Sequence, residues 1–450
     1  MTSSLLKTCF VMAFVLGLSA GPVHAADAPT AAAQPATPTP PPANPNHLGT
    51  DASGNPIRRA PRTGHVSNYD EAKVGTYTLP DALVRNNGER VADADTWFTA
   101  RRPEILKSYE TEIYGRVPDR APPVRWDTVS KEAITLDGAP ASHQHGVLYF
   151  GEGPRPTKVN VHLYLPTGAV SPVPVLLHLT FATSTANAES IREPAIPPGR
   201  PSEAGPVADM LAQGFGYALV RYTEIQPDDA ETNTSGIQAL TYAPGQTKPA
   251  SDEWGTIGVW AWSMSRVLDY LGSDPAVDAK RVALIGHSRL GKTALWAGAT
   301  DPRFALIFAS CSGEMGAALA RRDYGETVDD MAGNFAWWFA GNFQKYAGRW
   351  NDMPVDAHML IALSAPRPVF ITGGTGDQWA DPKGQFLAQV AAGPVYRLLG
   401  KSDLGTTELP PLDTPLTEGA LGFLYHTGGH TITPEDWNAF LKFAARHLKP

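Results

Sequence analysis

Apolar residues along this chain fall into two recurring patterns. In Lys158 to Leu165 every second residue is apolar (Val159, Val161, Leu163, Leu165), the period of a strand with one buried face. With His145 to Phe150 just before it, this predicts an antiparallel pair at the start of a sheet. Val173–Leu179, Tyr217–Tyr222, Val282–Ile285, Phe304–Ala309, Pro368–Thr372 and Leu421–Tyr425 are instead short, largely uninterrupted apolar runs. Such runs fit strands covered on both faces, as in a mostly parallel sheet. Between them the spacing turns helical. Thr96 to Tyr114 carries Trp97, Ile105, Leu106, Tyr109 and Ile113 and is expected to cap the sheet edge. Ser251 to Leu271 aligns Trp260, Met264, Val267, Leu268 and Leu271 on one stripe, with Ser251 the expected N-cap and Gly272 the stop. A last helix is expected after Thr433-Pro434-Glu435. Strands alternating with helices predict an α/β fold, a three-layer sandwich with a mostly parallel central sheet.

Candidate chemistry lies in Val282-Ala-Leu-Ile-Gly-His-Ser-Arg-Leu-Gly-Lys292. Gly286 to Gly291 reads as a tight turn, with helix from Lys292 onward. A serine between a buried strand and a helix, with glycines flanking the turn, is how an α/β-hydrolase raises its nucleophile. The helix N-terminus supplies unpaired N–H groups where an oxyanion can form. The spacing here is G-x-S-x-x-G rather than the commoner G-x-S-x-G. Ser288 needs a base, because a serine hydroxyl is a weak nucleophile at neutral pH. In this fold the order along the chain is Ser, acid, His, and His430 fits the last slot. His426 belongs to a strand end, and His287 is expected to point away from Ser288. Two acids compete: Asp377, directly after a strand, and Glu314, after the preceding one. Asp377 is preferred because its slot matches the triad order.

Composition narrows the setting. The chain has 450 residues, 42% hydrophobic and 18% charged, with a formal charge of −8. That describes a globular protein and argues against a nucleic-acid or anionic-membrane partner. Residues 1–25 have the form of a secretory signal: Lys7, a short apolar stretch from Cys9 to Ala20, then Val23-His24-Ala25. Export to the periplasm or the exterior is expected. Residues 26–61, rich in Ala, Pro and Thr, are expected to form a disordered tether, and 62–450 a single catalytic domain. Removal of the signal would leave Cys311 alone, so no intramolecular disulfide is expected.

Several stretches together are similar to glucuronoyl esterases, carbohydrate esterase family 15. Gly286-His-Ser-Arg-Leu-Gly-Lys292 resembles that family's G-x-S-R-x-G-K signature. Trp254–Trp262, Gly316–Arg322, Met353–Leu360 and Asp377–Pro382 come in matching order. The resemblance covers about residues 95 to 450. It implies hydrolysis, without metal or cofactor, of the ester between (4-O-methyl-)glucuronic acid on glucuronoxylan and alcohols of lignin, with no obligate protein partner. It implies Ser288 as nucleophile, His430 as base and Arg289 as oxyanion holder. Lys292 and Glu326 would bind sugar hydroxyls, and Trp379 would pack on the uronic acid. Many members carry the triad Glu just before a Ser-Gly pair where this chain has Cys311, which favours Asp377. The rival readings are another carbohydrate esterase, such as an acetyl xylan esterase, and a catalytically silent glycan-binding homologue. Thr180–Ser184 occupies the place of a second oxyanion N–H. The aromatic stretch Asn334–Trp350 is read either as a wall of the substrate cleft that stacks on sugar or lignin rings or, in preference, as a helix packed on the core.

Overall fold

Residues 46–169, 172–181, 205–230 and 235–448 are described in a computed structural model of the chain. The expected signal and residues 26–45 of the expected tether lie outside them. From residue 46 the chain is folded, which corrects the tether boundary. Strands β1 (His47–Thr50) and β2 (Pro56–Arg58) form a small antiparallel sheet. Strands of four and three residues are too short to show a hydrophobic period, and local polar bonds hold them. Asp51 Oδ1 accepts from the N–H groups of Ser53 and Asn55 at 2.9 and 2.8 Å, an Asx-type turn. Ala60, just beyond, is buried.

Helix α1 (Arg102–Glu112) comes after a π turn at Trp97–Arg101. Then come β3 (Val124–Leu136), β4 (Ala139–Phe150), β5 (Thr157–Pro166) and β6 (Val173–Thr180). Next are helix α2 (Val207–Ala212), β7 (Gly216–Arg221), α3 (Thr256–Leu271), β8 (Val277–His287) and α4 (Arg289–Thr300). The chain continues through β9 (Phe304–Ser310), α5 (Ala357–Ala362), β10 (Val369–Gly374), α6 (Pro382–Leu398), β11 (Leu421–His426) and α7 (Pro434–Leu448).

Strands β3 to β11 make one nine-stranded sheet in the order β11-β10-β9-β8-β6-β7-β5-β4-β3. Strands β6 to β11 run parallel, and β5, β4 and β3 add on antiparallel. The continuous apolar runs are the parallel strands because both faces are covered. Val282 and Leu284 face the layer holding α3 and α4, while Ala283 and Ile285 face the layer of α7, with Trp437 and Phe440. Edge strand β3 is almost wholly exposed, and a bulge between Thr128 and Ser130 breaks its alternation, so no regular hydrophobic period marks it in the sequence.

Three local expectations change. Helix α3 begins at Thr256, not after Ser251: its N-cap is Gly255, where a Cβ would collide with the Trp338 carbonyl. Ser251 is used before the helix, its carbonyl accepting from Asn342 N–H at 2.8 Å. The stretch through α1 does not cap the sheet edge. It lies on the helical layer, where the Tyr109 and Tyr114 rings meet Trp296 of α4 at 5.9 and 5.0 Å. Arg102 there donates to the Ala299 carbonyl at 2.6 Å. The aromatic stretch 334–350 is a series of short 3-10 turns at Ala336–Trp338, Gly341–Tyr346 and Trp350–Asp352 rather than one helix.

The junction between β8 and α4 leaves no room for side chains at its glycines. A Cβ at Gly286 would run into the Leu290 carbonyl, whereas Gly429 has nothing within 4 Å of such a carbon. Gly286→Ala is therefore expected to lose about 3 kcal/mol of stability, the upper range for overpacking, while Gly429→Ala stays near neutral. Thermal melts of the two variants check this, and equal melting temperatures would contradict it.

Candidate active site

Ser288 directly follows β8 and caps α4 with φ +58° and ψ −127°. A non-glycine residue rarely adopts positive φ, and where it does the surroundings impose it. The Ser288 N–H donates to the Ser310 carbonyl at 2.8 Å, and its own carbonyl accepts from Gly291 and Lys292. A Cβ on Gly291 would press on Ser312 Cβ at 2.9 Å, so the second glycine of G-x-S-x-x-G lets α4 lie against the segment after β9. The helix thus starts at Arg289, earlier than expected, and its first N–H groups open beside the serine.

His430 arrives on the loop after β11. Its Nδ1 lies 2.7 Å from Asp377 Oδ2. The acid is buried while the imidazole is half exposed. The two loops are tied together: Gly376 N–H donates to the Gly428 carbonyl at 2.6 Å and Gly428 N–H to Thr375 Oγ1 at 3.2 Å. His430 rests against the ring of His287, the neighbour of Ser288, with centroids 4.6 Å apart. No hydrogen bond joins Ser288 Oγ to His430 here, and in ligand-free enzymes such bonds are commonly loose. Burial, and after it the neighbouring His430, His178, His426 and Arg289, pushes the His287 imidazole well below its ordinary range. His287 stays neutral and donates or accepts at Ser310 Oγ, 3.3 Å away. His426 is likewise buried, 3.5 Å from Asp436. Cys311 also has positive φ, +46°; burial, then the Asp377 charge, pushes its thiol up, so it is not a thiolate.

Of the two candidate acids, Asp377 is the one on His430. Glu314 sits elsewhere, fully buried near Lys292, with Oε1 unpartnered among the described residues. Burial lifts its carboxyl well above the ordinary glutamate range; Asp356 and Glu326 add repulsion, and Lys292 opposes them.

Arg289, the first residue of α4, forms an ion pair with Asp228. Its guanidinium lies 4.7 Å from the Trp338 ring and 5.5 Å from Phe181. Asp228 Oδ1 also accepts from the indole N–H groups of Trp337 and Trp338, at 3.1 and 2.6 Å. Sequence reasoning missed Asp228, an acid in a polar loop after β7 with no motif around it. Of the second oxyanion segment, Thr180 and Phe181 are described, and residues 182–184 lie outside the described residues.

One turn further along α4, buried Lys292 donates to the Ser312 carbonyl at 2.7 Å and faces Glu326 Oε2 at 3.4 Å. Glu326 Oε1 accepts from the Trp379 indole at 3.0 Å. The three expected sugar-side residues therefore form one bonded row leading away from Ser288. A hydroxyl on an elbow, an acid-supported imidazole, a helix N-terminus and a fixed guanidinium are the parts from which acyl transfer is built.

This sheet and elbow are those of an α/β-hydrolase. A family model described as "Glucuronyl esterase, fungi" matches residues 245–400. The fold is similar to the glucuronoyl esterase from Solibacter usitatus, with 43% identity over 84% of this chain and 100% of that one and a TM-score of 0.77. A glucuronoyl esterase of Teredinibacter turnerae matches with 37% identity over 87% of this chain and 95% of that one, at TM-score 0.76. Carbohydrate esterase MZ0003, from an unknown prokaryotic organism, is 39% identical over 405 residues, 85% of this chain and 92% of its own. The chain belongs to carbohydrate esterase family 15, the glucuronoyl esterases, and is a carboxylic ester hydrolase.

The buried Glu314 gives a pH signature. It holds its proton in the folded chain where the unfolded chain would release it, so folding binds a proton. Stability contributed by the neutral form is complete below the ordinary glutamate range and is lost as pH rises above it. Glu314→Gln should melt with its parent at about pH 4 and above it at about pH 7. A pH-independent difference would contradict this assignment.

Proposed function

We propose that this chain hydrolyses the ester between (4-O-methyl-)glucuronic acid side chains of glucuronoxylan and lignin alcohols, through a glucuronoyl-serine intermediate. The observation that carries the reading is the Asp377–His430 pair at 2.7 Å, delivered beside the elbow that holds Ser288. His430 Nε2 takes the Ser288 proton as Oγ bonds to the uronate carbonyl carbon. Asp377 holds the proton on Nδ1 and balances the imidazolium. The carbonyl electron pair moves to oxygen, which the Arg289 N–H and guanidinium receive. The alcohol then leaves with the proton from His430, and water repeats the sequence on the acyl-serine. The row Lys292, Glu326 and Trp379 binds the uronic acid: Lys292 and Glu326 present charged hydrogen-bonding groups to hydroxyls, and the indole offers an apolar face to the ring. Asp228 is a positioning residue that keeps the Arg289 guanidinium aimed before substrate arrives.

Ser288→Ala should fold and lose cleavage of benzyl glucuronate, and Asp377→Asn should lower kcat about 10³–10⁴-fold, as expected when a triad acid no longer fixes the tautomer. Full activity in either variant, measured by product release, would overturn the mechanism. Asp228→Asn keeps an oxygen acceptor for the two indoles but removes the charge facing Arg289. Its kcat should fall about 10²-fold, the scale of one lost oxyanion donor, with KM little altered; a changed KM at constant kcat would assign Asp228 to binding instead.

A further inference from the structure

The row of groups leading from Ser288 does not stop at Trp379. The guanidinium of Arg58, on β2, lies over the Trp379 ring with Cζ 4.6 Å from its centroid. Arg58 is set there by its backbone. Its N–H donates to Ser67 Oγ at 3.0 Å, and its carbonyl accepts from Ser67 N–H at 3.0 Å and from Ser67 Oγ at 3.2 Å. The Tyr69 hydroxyl donates to the Pro56 carbonyl of the same strand at 2.6 Å. The ring it covers is fixed as well: Glu326 N–H donates to the Trp379 carbonyl and Gly325 N–H to the Asn68 carbonyl, both at 2.8 Å. A Cβ on Gly325 would stand 2.5 Å from the Trp379 carbonyl oxygen, so these segments touch at backbone distance.

The cations nearer the serine are answered by carboxylates, Arg289 by Asp228 and Lys292 by Glu326. Arg58 is not: among the described residues no carboxylate pairs with it, and its Nε is buried without a partner. With Cζ over the indole and Nε buried, the two Nη groups are the charge-assisted donors left for a ligand. Unused donors held rigidly beside a sugar-stacking tryptophan are pre-organised for oxygen acceptors.

We propose that Arg58 is a specificity-determining residue which, beside Trp379, hydrogen-bonds hydroxyls of the xylan main chain that carries the esterified uronic acid. This rests on the reading of the site as a glucuronoyl esterase. It makes the small N-terminal sheet part of the substrate cleft and assigns it the sugar beyond the uronic acid.

The test compares the unmodified full chain with Arg58→Ala and Arg58→Lys on two substrates, benzyl glucuronate and a xylo-oligosaccharide bearing the same ester. Arg58→Ala should raise KM about tenfold on the oligosaccharide, leaving kcat there and both constants for the small ester within about twofold. Arg58→Lys, which lacks the planar fork, should not restore KM. Equal losses on both substrates would mean that Arg58 merely supports Trp379, and unchanged constants on both would mean that it binds nothing; either overturns the proposal. A second measurement avoids turnover: an unesterified glucuronoxylo-oligosaccharide titrated into Ser288→Ala with and without Arg58→Ala, monitored by tryptophan fluorescence. Binding about tenfold weaker in the double variant is expected, and equal binding overturns the proposal. Failure of the esterase reading itself would be seen separately, as no cleavage of benzyl glucuronate by the unmodified chain.

Discussion

Ser288 holds a backbone conformation that L-residues rarely adopt, with φ +58°, at a cost on the order of 1–3 kcal/mol. The sheet and helix around it leave no other choice. Gly286 lies against the Leu290 carbonyl and Gly291 against Ser312, so β8 and α4 meet at a distance only glycine allows. The Ser288 N–H is tied to β9 through Ser310. Strain at one residue is thus sustained by burial along a parallel sheet whose strands are covered on both faces. The result is a hydroxyl at a helix N-terminus, where unpaired N–H groups already face outward.

The charges around that hydroxyl are arranged in pairs, and pairing makes them tolerable under burial. Asp377 answers His430, Asp228 answers Arg289 and Glu326 answers Lys292. Each pair also sets a direction: the imidazole presents its free nitrogen, and the guanidinium is anchored between Asp228 and the Trp338 ring. Groups that would interfere are kept neutral. His287, in contact with His430, and Cys311, close to Asp377, are both held uncharged by burial. Preorganised charge beside neutral neighbours is the condition under which an oxyanion is stabilised without reorganisation.

How far this was legible in the sequence depends on the kind of interaction. The parallel strands and the elbow announce themselves, because burial on both faces demands continuous apolar runs and a tight turn demands glycine. Strand β3 and the small sheet of β1 and β2 do not, since they are held by backbone and Asx-turn bonds that leave no hydrophobic period. The Ser251 cap misled because the N-cap is Gly255, packed so closely on the Trp338 backbone that no side chain fits there, a tertiary contact that local sequence does not show. Chain order placed Asp377 and His430 in the right slots for contact. Asp228 and Arg58 were invisible: each matters through a partner far away in sequence, Arg289 for one and Trp379 for the other, and neither sits in a motif.

In the proposed mechanism, catalysis depends on Ser288 being activated by the imidazole that Asp377 holds at 2.7 Å. The most direct measurement is covalent labelling by a fluorophosphonate, with the modified peptide and its rate read by mass spectrometry. The chain should take up one label, on Ser288, and Asp377→Asn should take it up far more slowly while remaining folded. Labelling at another residue, or an undiminished rate at Ser288 in that variant, would contradict this activation.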